Sequence, residues 1–282
     1  MTKSRIKRIA YRIVVYVVLI TAALSMLLPY LWMVTTSLMN PFMATDPTRL
    51  HLWPGRFYWE HYQQIFQRIP LIRATFRTLL VVIAVIPIGT MVSAFAAFSF
   101  AKLKLPFRNG FLLILLSGTM VPFAALMLPQ FRAFNELGMV NTLWPLIIPG
   151  MFGNVMMMFF FIQYLRGTPN ALIEAAKIDG AGYTRILLTI VFPLMAPAIA
   201  VQIIFWFNGI WNDFLGPSIY LQSQDVMTLQ PLLAMINRTF ADGVDLPLIM
   251  TGAVLSSIPV LIIFIVFQRF FVQSVAVSGI KG

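Results

Sequence analysis

Residues 174–180 read EAAKIDG, and IVFP follows at residues 190–193 after nine intervening positions. This stretch lies in a polar loop between two long apolar segments. Thr168 followed by Pro169 favours a helix start there, because a hydroxyl can cap the first free amides and proline is tolerated in the first turn. The glycine at position 180 favours a helix end. The residues between are too few to cross a bilayer, which takes about 20 apolar residues, so we predict a short helix at the membrane surface.

One face of this short helix is suited to contact with another protein. Leu172, Ala175 and Ala176 are expected to share that face because they are spaced by three and four residues. Two of the three are alanines, so a partner surface has room to approach the helix backbone. The alternative is an interfacial helix with a glycine turn and no partner, a feature of many polytopic proteins.

Composition indicates a membrane protein. Of the 282 residues, 60% are apolar and only 10% are charged, and the mean hydropathy is +0.86, far from the values of an ordinary soluble domain. Six windows without Asp, Glu, Lys or Arg are each long enough for a helix across about 30 Å of hydrocarbon. We therefore predict an all-α, polytopic protein with six transmembrane helices, at residues 13–38, 78–101, 109–131, 142–165, 186–212 and 246–268. In the second span, Gly89, Ser93 and Ala97 favour close helix contacts by their four-residue spacing.

The chain is expected to divide into a basic N-terminal segment (1–12), a six-span domain (13–268) that carries the surface loop 168–184, and a C-terminal tail (269–282). A basic start before an apolar run also occurs in signal peptides. The apolar run here is much longer than a secretory core of about 7–15 residues and lacks a clear small-residue cleavage site. We interpret it as a retained first span.

Lysine and arginine are distributed unevenly among the predicted loops. With a cytoplasmic N-terminus, the cytoplasmic segments hold 13 of the 20 basic residues, and membrane proteins concentrate these residues on that side. Both termini and the loop 168–184 are therefore expected in the cytoplasm. This topology explains the net charge of +11 without nucleic-acid binding.

The pattern of Glu-Ala-Ala, three residues, Gly, nine residues, Ile, two residues and Pro resembles the signature loop of the membrane subunits of bacterial ABC importers. Asp179-Gly180-Ala181, and Pro197 four residues after Pro193, are typical of the carbohydrate-uptake branch. The resemblance continues in the aromatic segment 57–66, the turn 135–142, the segment WNDFL at 211–215 and the tail 279–282. In this order the motifs are similar to those of the second of two permeases in a maltose-type importer. The chain departs from the pattern at Gly216, often bulky in relatives, and at Gly182, often serine.

The resemblance implies partners and a bacterial inner-membrane location. The implied partners are a second homologous permease, two ATPase subunits and an extracytoplasmic solute-binding protein that delivers a carbohydrate. No Gly-Lys pair occurs in the sequence, hence no phosphate-cradling loop, so ATP and Mg²⁺ are expected on the partner ATPase and no cofactor on this subunit. The loop would form a cytoplasmic coupling helix between spans four and five. The predicted coupling residues are Glu174, Ala175, Ala176, Asp179, Gly180 and Lys281.

Uncharged polar and aromatic side chains in the fourth and fifth spans mark a candidate solute path. Polar groups there need partners, because unsatisfied hydrogen-bonding groups are costly in a membrane. One interpretation is hydrogen bonding between helices. The other is a neutral, aromatic-lined cavity suited to a hydroxyl-rich solute whose apolar ring faces stack on aromatics. The candidate path residues are Asn154, Gln202, Trp206, Asn208, Trp211 and Asn212.

These patterns predict a non-enzymatic transport subunit that moves a carbohydrate by alternating access. The sequence is compatible with several kinds of cargo: an oligosaccharide, a disaccharide, a polyol or a glycerol-phosphate-type solute. The alternative is a secondary transporter of a neutral polar solute, which would be expected to carry a charged residue within the membrane and two similar halves. The sequence shows neither. Cysteine is absent, and His51 and His61 fall in a predicted outer loop without the partners of a metal site.

Overall fold

The computed structural model describes residues 3–46, 51–239 and 245–278, and those residues form helices, turns and loops without a β-strand. Helices suit a membrane because each satisfies its own backbone hydrogen bonds. In chain order the helices are α1 (Lys3–Ser37), α2 (Pro41–Ala44), α3 (Glu60–Arg68), α4 (Leu71–Lys102), α5 (Arg108–Thr119), α6 (Phe123–Glu136), α7 (Trp144–Met151), α8 (Val155–Arg166), α9 (Ala171–Ile178), α10 (Tyr183–Ile186), α11 (Phe192–Leu194), α12 (Ala196–Trp211), α13 (Leu215–Tyr220), α14 (Leu229–Thr239) and α15 (Leu246–Ser278).

Five segments of the described chain are long and apolar enough to cross a membrane, and α5 with α6 makes a sixth if that bent pair is counted as one span. The five are Lys7–Ser37, Leu71–Lys102, Trp144–Arg166, Ala196–Tyr220 and Leu246–Gln268. The predicted all-helical, polytopic class is confirmed. The first and last helices extend beyond the predicted spans, because an α-helix can continue past the hydrocarbon region.

The predicted third span, 109–131, is not one continuous helix. α5 ends at Thr119, α6 begins at Phe123, and the two are bent by 89°. Pro122 precedes α6 with an extended backbone (φ −66°, ψ 140°), and a proline has no N–H with which to continue the preceding helix. The sequence prediction missed this break because it relied on stretches without charged residues, and no charged residue lies at the break.

The predicted fourth span, 142–165, corresponds to two helices, α7 and α8, that are separated at residues 152–154. Gly153 has φ +97°, a conformation that glycine adopts without strain. The next residue, Asn154, is the N-cap of α8. The break therefore depends on a glycine that permits the turn and an asparagine that restarts the helix.

The predicted fifth span, 186–212, begins too early, since the long apolar segment is Ala196–Tyr220. α10 is followed by a π-helical turn, Leu187–Val191, and then by the short α11. Pro193 lies in α11 and cannot donate a backbone hydrogen bond to the turn before it. Helix irregularities of this kind occur at prolines and π-turns, and the six-span pattern did not predict one here.

The described chain forms two compact units. The first contains the described residues up to Ile69 together with Leu233–Ile258. Its buried side chains include Met39, Ile65 and Leu248, and Arg68 pairs with Asp245 at 3.2 Å. His61 lies in α3 rather than in a loop, and its Nε2 is 3.0 Å from the carbonyl oxygen of Met39.

The second unit contains Pro70–Leu232 and the residues from Pro259 onward. Its core forms where α4 packs against α7, α8 and α12. Ser93 and Ala97 are buried in this contact, and a Cβ at Gly89 would collide with the ring of Trp206 and with the carbonyl oxygen of Gly150. The predicted close helix contact along Gly89, Ser93 and Ala97 is confirmed.

Candidate functional site

The predicted surface helix is α9, and it begins later than the sequence indicated. Asn170 rather than Thr168 is its N-cap, with αR backbone and no side-chain capping bond to α9. The Asn170 side chain is instead engaged by Lys102, whose Nζ donates to its Oδ1 at 2.8 Å and to the carbonyl oxygen of Thr168 at 2.7 Å. A lysine at the end of α4 thus holds the residues that lead into α9.

The end of α9 is a glycine turn of the Schellman type. The N–H of Ala181 donates to the Ala176 carbonyl at 2.9 Å, and the N–H of Gly180 donates to the Lys177 carbonyl at 3.0 Å, which are the two bonds of that motif. Gly180 has φ +78°, a region that L side chains enter only at a cost of roughly 1–2 kcal/mol. The predicted glycine stop is confirmed, and its geometry requires glycine.

A second contact closes the turn. The Nζ of Lys177 lies 2.9 Å from the hydroxyl of Tyr183 and 4.4 Å from the centre of its ring. A cation over an aromatic face is attracted to the ring electrons. Lys177 and Tyr183 stand on either side of Gly180, so this pair joins the end of α9 to the start of α10.

α9 presents a different face outward from the predicted one. Ile173 and Ala176 are buried in the core of the second unit, whereas Leu172 and Ala175 are exposed. The three-residue step from Ile173 to Ala176 defines the inward side, so Ala176 belongs with the core and not with Leu172. The prediction of a common outer face for Leu172, Ala175 and Ala176 is wrong on this point.

Other predicted coupling residues are solvent-accessible. Glu174, Asp179 and Gly180 are exposed, and a Cβ at Gly180 would meet no atom within 4 Å. Ile178, which the sequence interpretation omitted, is 87% exposed at the end of α9. A large apolar side chain beside a glycine turn was the signal that could have found it. Lys281 lies outside the described residues.

Asn154, a predicted path residue, has a structural role in the fold. Its Oδ1 accepts from the N–H of Met157 at 2.9 Å, as an N-cap does. Its own N–H donates to the Oγ of Ser93 at 2.9 Å. The side-chain oxygen is therefore engaged in starting α8.

The predicted path residues of α12 do not form one surface. Gln202 and Trp206 are partly buried, with Trp206 against Gly89 of α4. Trp211 is only 1% exposed, and its ring stacks on Phe207 with the centroids 5.3 Å apart. Trp211 is thus a packing residue in this structure, because the stack removes its ring from solvent.

Asn208 and Asn212 form a polar cluster at the C-terminal end of α12. The Nδ2 of Asn212 donates to the Oδ1 of Asn208 at 2.7 Å and to its carbonyl oxygen at 3.0 Å. Gln230 donates to the Trp211 carbonyl at 3.2 Å. Both asparagines are exposed in this chain, and both lie within the long apolar segment Ala196–Tyr220.

The turn at 135–142 ties two loops together. Asn141 has φ +63°, and its Oδ1 accepts from the backbone N–H groups of Gln222 and Ser223 at 3.0 and 3.1 Å. Its own N–H donates to the Tyr220 carbonyl at 2.8 Å. The asparagine of this motif therefore fixes the chain that follows α13.

A cavity of about 230 Å³ lies beyond the end of α12 in the second unit. α4, α6, α7, α12 and α13 contribute its walls, and none of the six predicted path residues lines it. Asp213 and Gly216 belong to its lining, and the Asp213 Oδ1 accepts from the N–H of Gly216 at 3.2 Å. A Cβ at Gly216 would stand 2.8 Å from the other carboxylate oxygen, so glycine there makes room for Asp213.

Comparison with known proteins identifies the class of this membrane protein. Residues 86–277 match the family described as binding-protein-dependent transport system inner membrane component, and the chain belongs to that family. It is a permease component of an ABC importer, and the resemblance to carbohydrate-uptake permeases is confirmed.

Individual relatives agree with this membership. The chain is 35% identical over 200 residues to the arabinooligosaccharides transport system permease protein AraQ of Halalkalibacterium halodurans, a match that covers 71% of each chain. It is 28% identical over 263 residues to the lactose transport system permease protein LacG of Rhizobium radiobacter, with 93% of each covered. It is 27% identical over 257 residues to the melibiose/raffinose/stachyose import permease protein MelC of Bacillus subtilis, covering 90% of this chain and 91% of the relative.

A solved structure has the same fold. A chain in the crystal structure of a bacterial ABC transporter involved in the import of the acidic polysaccharide alginate superposes with a TM-score of 0.79. The match covers 96% of this chain and 99% of that chain, at 22% sequence identity. At this identity the similarity is one of fold.

Proposed function

We propose that this chain is the permease subunit of an ATP-driven importer that carries a carbohydrate across the bacterial inner membrane. The observation that carries this proposal is α9 with its Gly180 turn, an exposed helix too short to span a membrane, in a member of a binding-protein-dependent transport family. Leu172, Ala175 and Ile178 give it an exposed apolar surface for a partner.

The working complex contains this chain, a second homologous permease, two ATPase subunits and an extracytoplasmic binding protein. The ATPases bind ATP and Mg²⁺ and perform hydrolysis, whereas this subunit transmits the movement and conducts the solute. Family membership supports this division of labour, and the sequence has no phosphate-cradling motif of its own.

Both termini and α9 face the cytoplasm in this proposal, and the C-terminal end of α12 faces outward. The concentration of basic residues in the segments on the α9 side supports that orientation. Closure of the ATPase dimer moves α9, and the spans reorient around the solute so that its site opens first to one side and then to the other. Lys102 carries part of this movement from the residues before α9 to α4.

The cargo is an oligosaccharide or a disaccharide. Support comes from the relatives, which are described as permeases for arabinooligosaccharides, lactose, and melibiose, raffinose and stachyose. A charged solute would be expected to need opposite charge along its path, and the long apolar segments contain few charged residues.

Reconstitution tests the proposal. This chain would be co-expressed with its candidate second permease, ATPase and binding protein, and the purified complex placed in proteoliposomes. Lactose, raffinose and arabinotriose, each with the binding protein, are the probes for ATP hydrolysis and for uptake. We expect at least one sugar to stimulate both activities.

Uptake that persists without the ATPase subunits and follows an ion gradient would contradict the proposal and favour a secondary transporter. Hydrolysis and uptake that respond to none of the three sugars would contradict the carbohydrate cargo. A complex assembled without the binding protein is the control for unstimulated hydrolysis.

A further inference from the structure

The cavity beyond α12 is separated from the surface loop 168–184 by the length of α12. α12 contains 16 residues and is therefore about 24 Å long. α9 and α10 precede its N-terminal end in the chain, whereas Asp213, Gly216 and Tyr220 line the cavity after its C-terminal end. The cavity is thus remote from the residues that would contact the ATPase.

Three hydrogen-bonding side chains line one part of the cavity. The Tyr220 hydroxyl donates to the Oε1 of Gln130 at 3.1 Å, which leaves the Gln130 amide nitrogen as a donor. The Asp213 carboxylate accepts from the backbone N–H groups of Gly216 and Leu215, and a carboxylate has about four acceptor positions, so it can still accept from a ligand. Together these side chains place a hydrogen-bond donor and hydrogen-bond acceptors side by side in the cavity.

Most of the remaining lining residues are apolar, and Thr78 and Thr228 are the polar exceptions. Phe123, Pro145 and Pro149 belong to the apolar part, and the two prolines have restricted backbones. Tyr220 is held in place by an edge-to-face contact with Phe134, with the ring centroids 5.6 Å apart. A mostly apolar wall with a few fixed polar groups is the usual composition of a small-molecule site.

Size restricts the occupant. The volume of about 230 Å³ is several times the share of one water molecule in liquid water, about 30 Å³. It is below the roughly 300–1,000 Å³ of sites for drug-sized ligands. A single sugar ring has hydroxyls at its edge and apolar C–H groups on its faces, which matches both the size and the two kinds of wall.

We infer that this cavity is a binding site for one ring of the carbohydrate, occupied as the solute passes the C-terminal end of α12. Asp213 accepts from ring hydroxyls, Gln130 donates to a ring oxygen or hydroxyl, and Pro145 and Pro149 contact the apolar face. This inference rests on the proposed carbohydrate function and adds a site that contains none of the path residues predicted from sequence.

Cysteine protection tests occupancy directly, because the chain contains no cysteine. Gln130→Cys places a thiol in the cavity, and Ala133→Cys places one on the exposed side of the same helix. Both are compared in the reconstituted complex for the rate of alkylation by a small thiol reagent, with unloaded binding protein and with binding protein loaded with lactose, raffinose or arabinotriose. We expect a transported sugar to slow alkylation at position 130 and not at position 133.

Substitutions that preserve the fold test the contacts. Asp213→Asn keeps an oxygen for the N–H of Gly216, and Gln130→Leu keeps the approximate side-chain volume. Each is expected to raise the half-saturating sugar concentration roughly three- to tenfold, the effect of one lost hydrogen bond, while the subunits still assemble.

The outcomes separate the site from the function on which it rests. If the wild-type complex imports none of the probe sugars, the carbohydrate function fails and the site fails with it. If the wild type imports a sugar while Asp213→Asn and Gln130→Leu behave like it and the thiol of Gln130→Cys is unprotected, only the site is overturned. Protection of that thiol that depends on the second permease and not on sugar would assign the cavity to subunit contact and also overturn the site.

Discussion

The Nζ of Lys102 lies 2.7 Å from the carbonyl oxygen of Thr168, and the same atom also donates to the side chain of Asn170. One lysine at the end of a membrane helix therefore holds the chain just before α9. In the proposed mechanism, this contact passes the movement of α9 to α4.

Lys102→Met should weaken that link while keeping the aliphatic stem. We expect normal assembly and unstimulated ATP hydrolysis, with the sugar-stimulated rate lowered by about ten- to a hundredfold, because a hydrogen bond to a charged group contributes about 1.5–3 kcal/mol. The measurement is ATP hydrolysis by the reconstituted complex with and without loaded binding protein. Lys104→Met, at an exposed position two residues later, is the matched control, and equal stimulation in both variants would refute a role for the link.

Gly180→Val should distort the end of α9. Gly180 has φ +78°, which a β-branched residue adopts only with strain, whereas Gly182 has φ −69° and open space around it. We expect Gly180→Val to lower retention of the ATPase subunits during purification, and Gly182→Val to retain them. Equal retention would show that the turn geometry does not matter for docking.

Glu174→Lys changes an exposed charge on α9. Because this side chain is not part of the core, we expect unchanged thermal stability of the isolated permease pair and weaker binding of the ATPase. Glu136→Lys, an exposed reversal at the end of α6, serves as control. Binding of the ATPase that is unaffected by Glu174→Lys would remove this glutamate from the interface.

Asn154→Ala should act on stability rather than on the solute. Loss of the N-cap of α8 is expected to destabilise the chain by about 0.5–2 kcal/mol, seen as a lower melting temperature, while Asn154→Ser retains a capping oxygen and most of the stability. Gln202→Ala and Trp206→Ala are measured in the same way, by melting temperature and by uptake at several sugar concentrations. A residue that contacts the solute changes the uptake, and a residue that only packs changes the melting temperature. A change in transport affinity for Asn154→Ser at normal stability would restore Asn154 to the path.

Cysteine labelling in intact cells tests the orientation. A cysteine at Thr184, exposed at the start of α10, should resist an impermeant thiol reagent until the cells are opened. A cysteine at Gln222, exposed after α13, should react from outside. Rapid labelling at position 184 in sealed cells is incompatible with a cytoplasmic α9.

Sequence alone predicted the features that depend on composition and on glycine. Long segments without charged residues predicted the apolar helices. The position of Gly180 after a short polar segment predicted a short helix that ends in a glycine turn. The break at Pro122 and the π-helical turn at Leu187–Val191 were missed, because both are backbone events within windows that hydropathy treats as uniform.

The candidate site was less predictable, because contacts between distant residues do not follow from periodicity. The link from Lys102 to Thr168 joins residues that are far apart in sequence, and the cavity combines α4, α6, α7, α12 and α13. Polar residues in apolar segments suggested a path, yet Asn154 caps a helix and Trp211 packs against Phe207. Local roles of this kind become visible only when the helix ends are located.

The π-helical turn at Leu187–Val191 holds one residue more than an α-helical turn. The N–H of Phe192 bonds to the carbonyl of Leu187, five residues back rather than four. Removing one residue here would return the turn to α-helical hydrogen bonding, whereas removing one from the regular part of α12 would rotate the side chains on the two sides of the deletion by about 100° relative to each other. The turn is therefore the point in this segment at which the chain can lose one residue while the side chains of α12 still face α4.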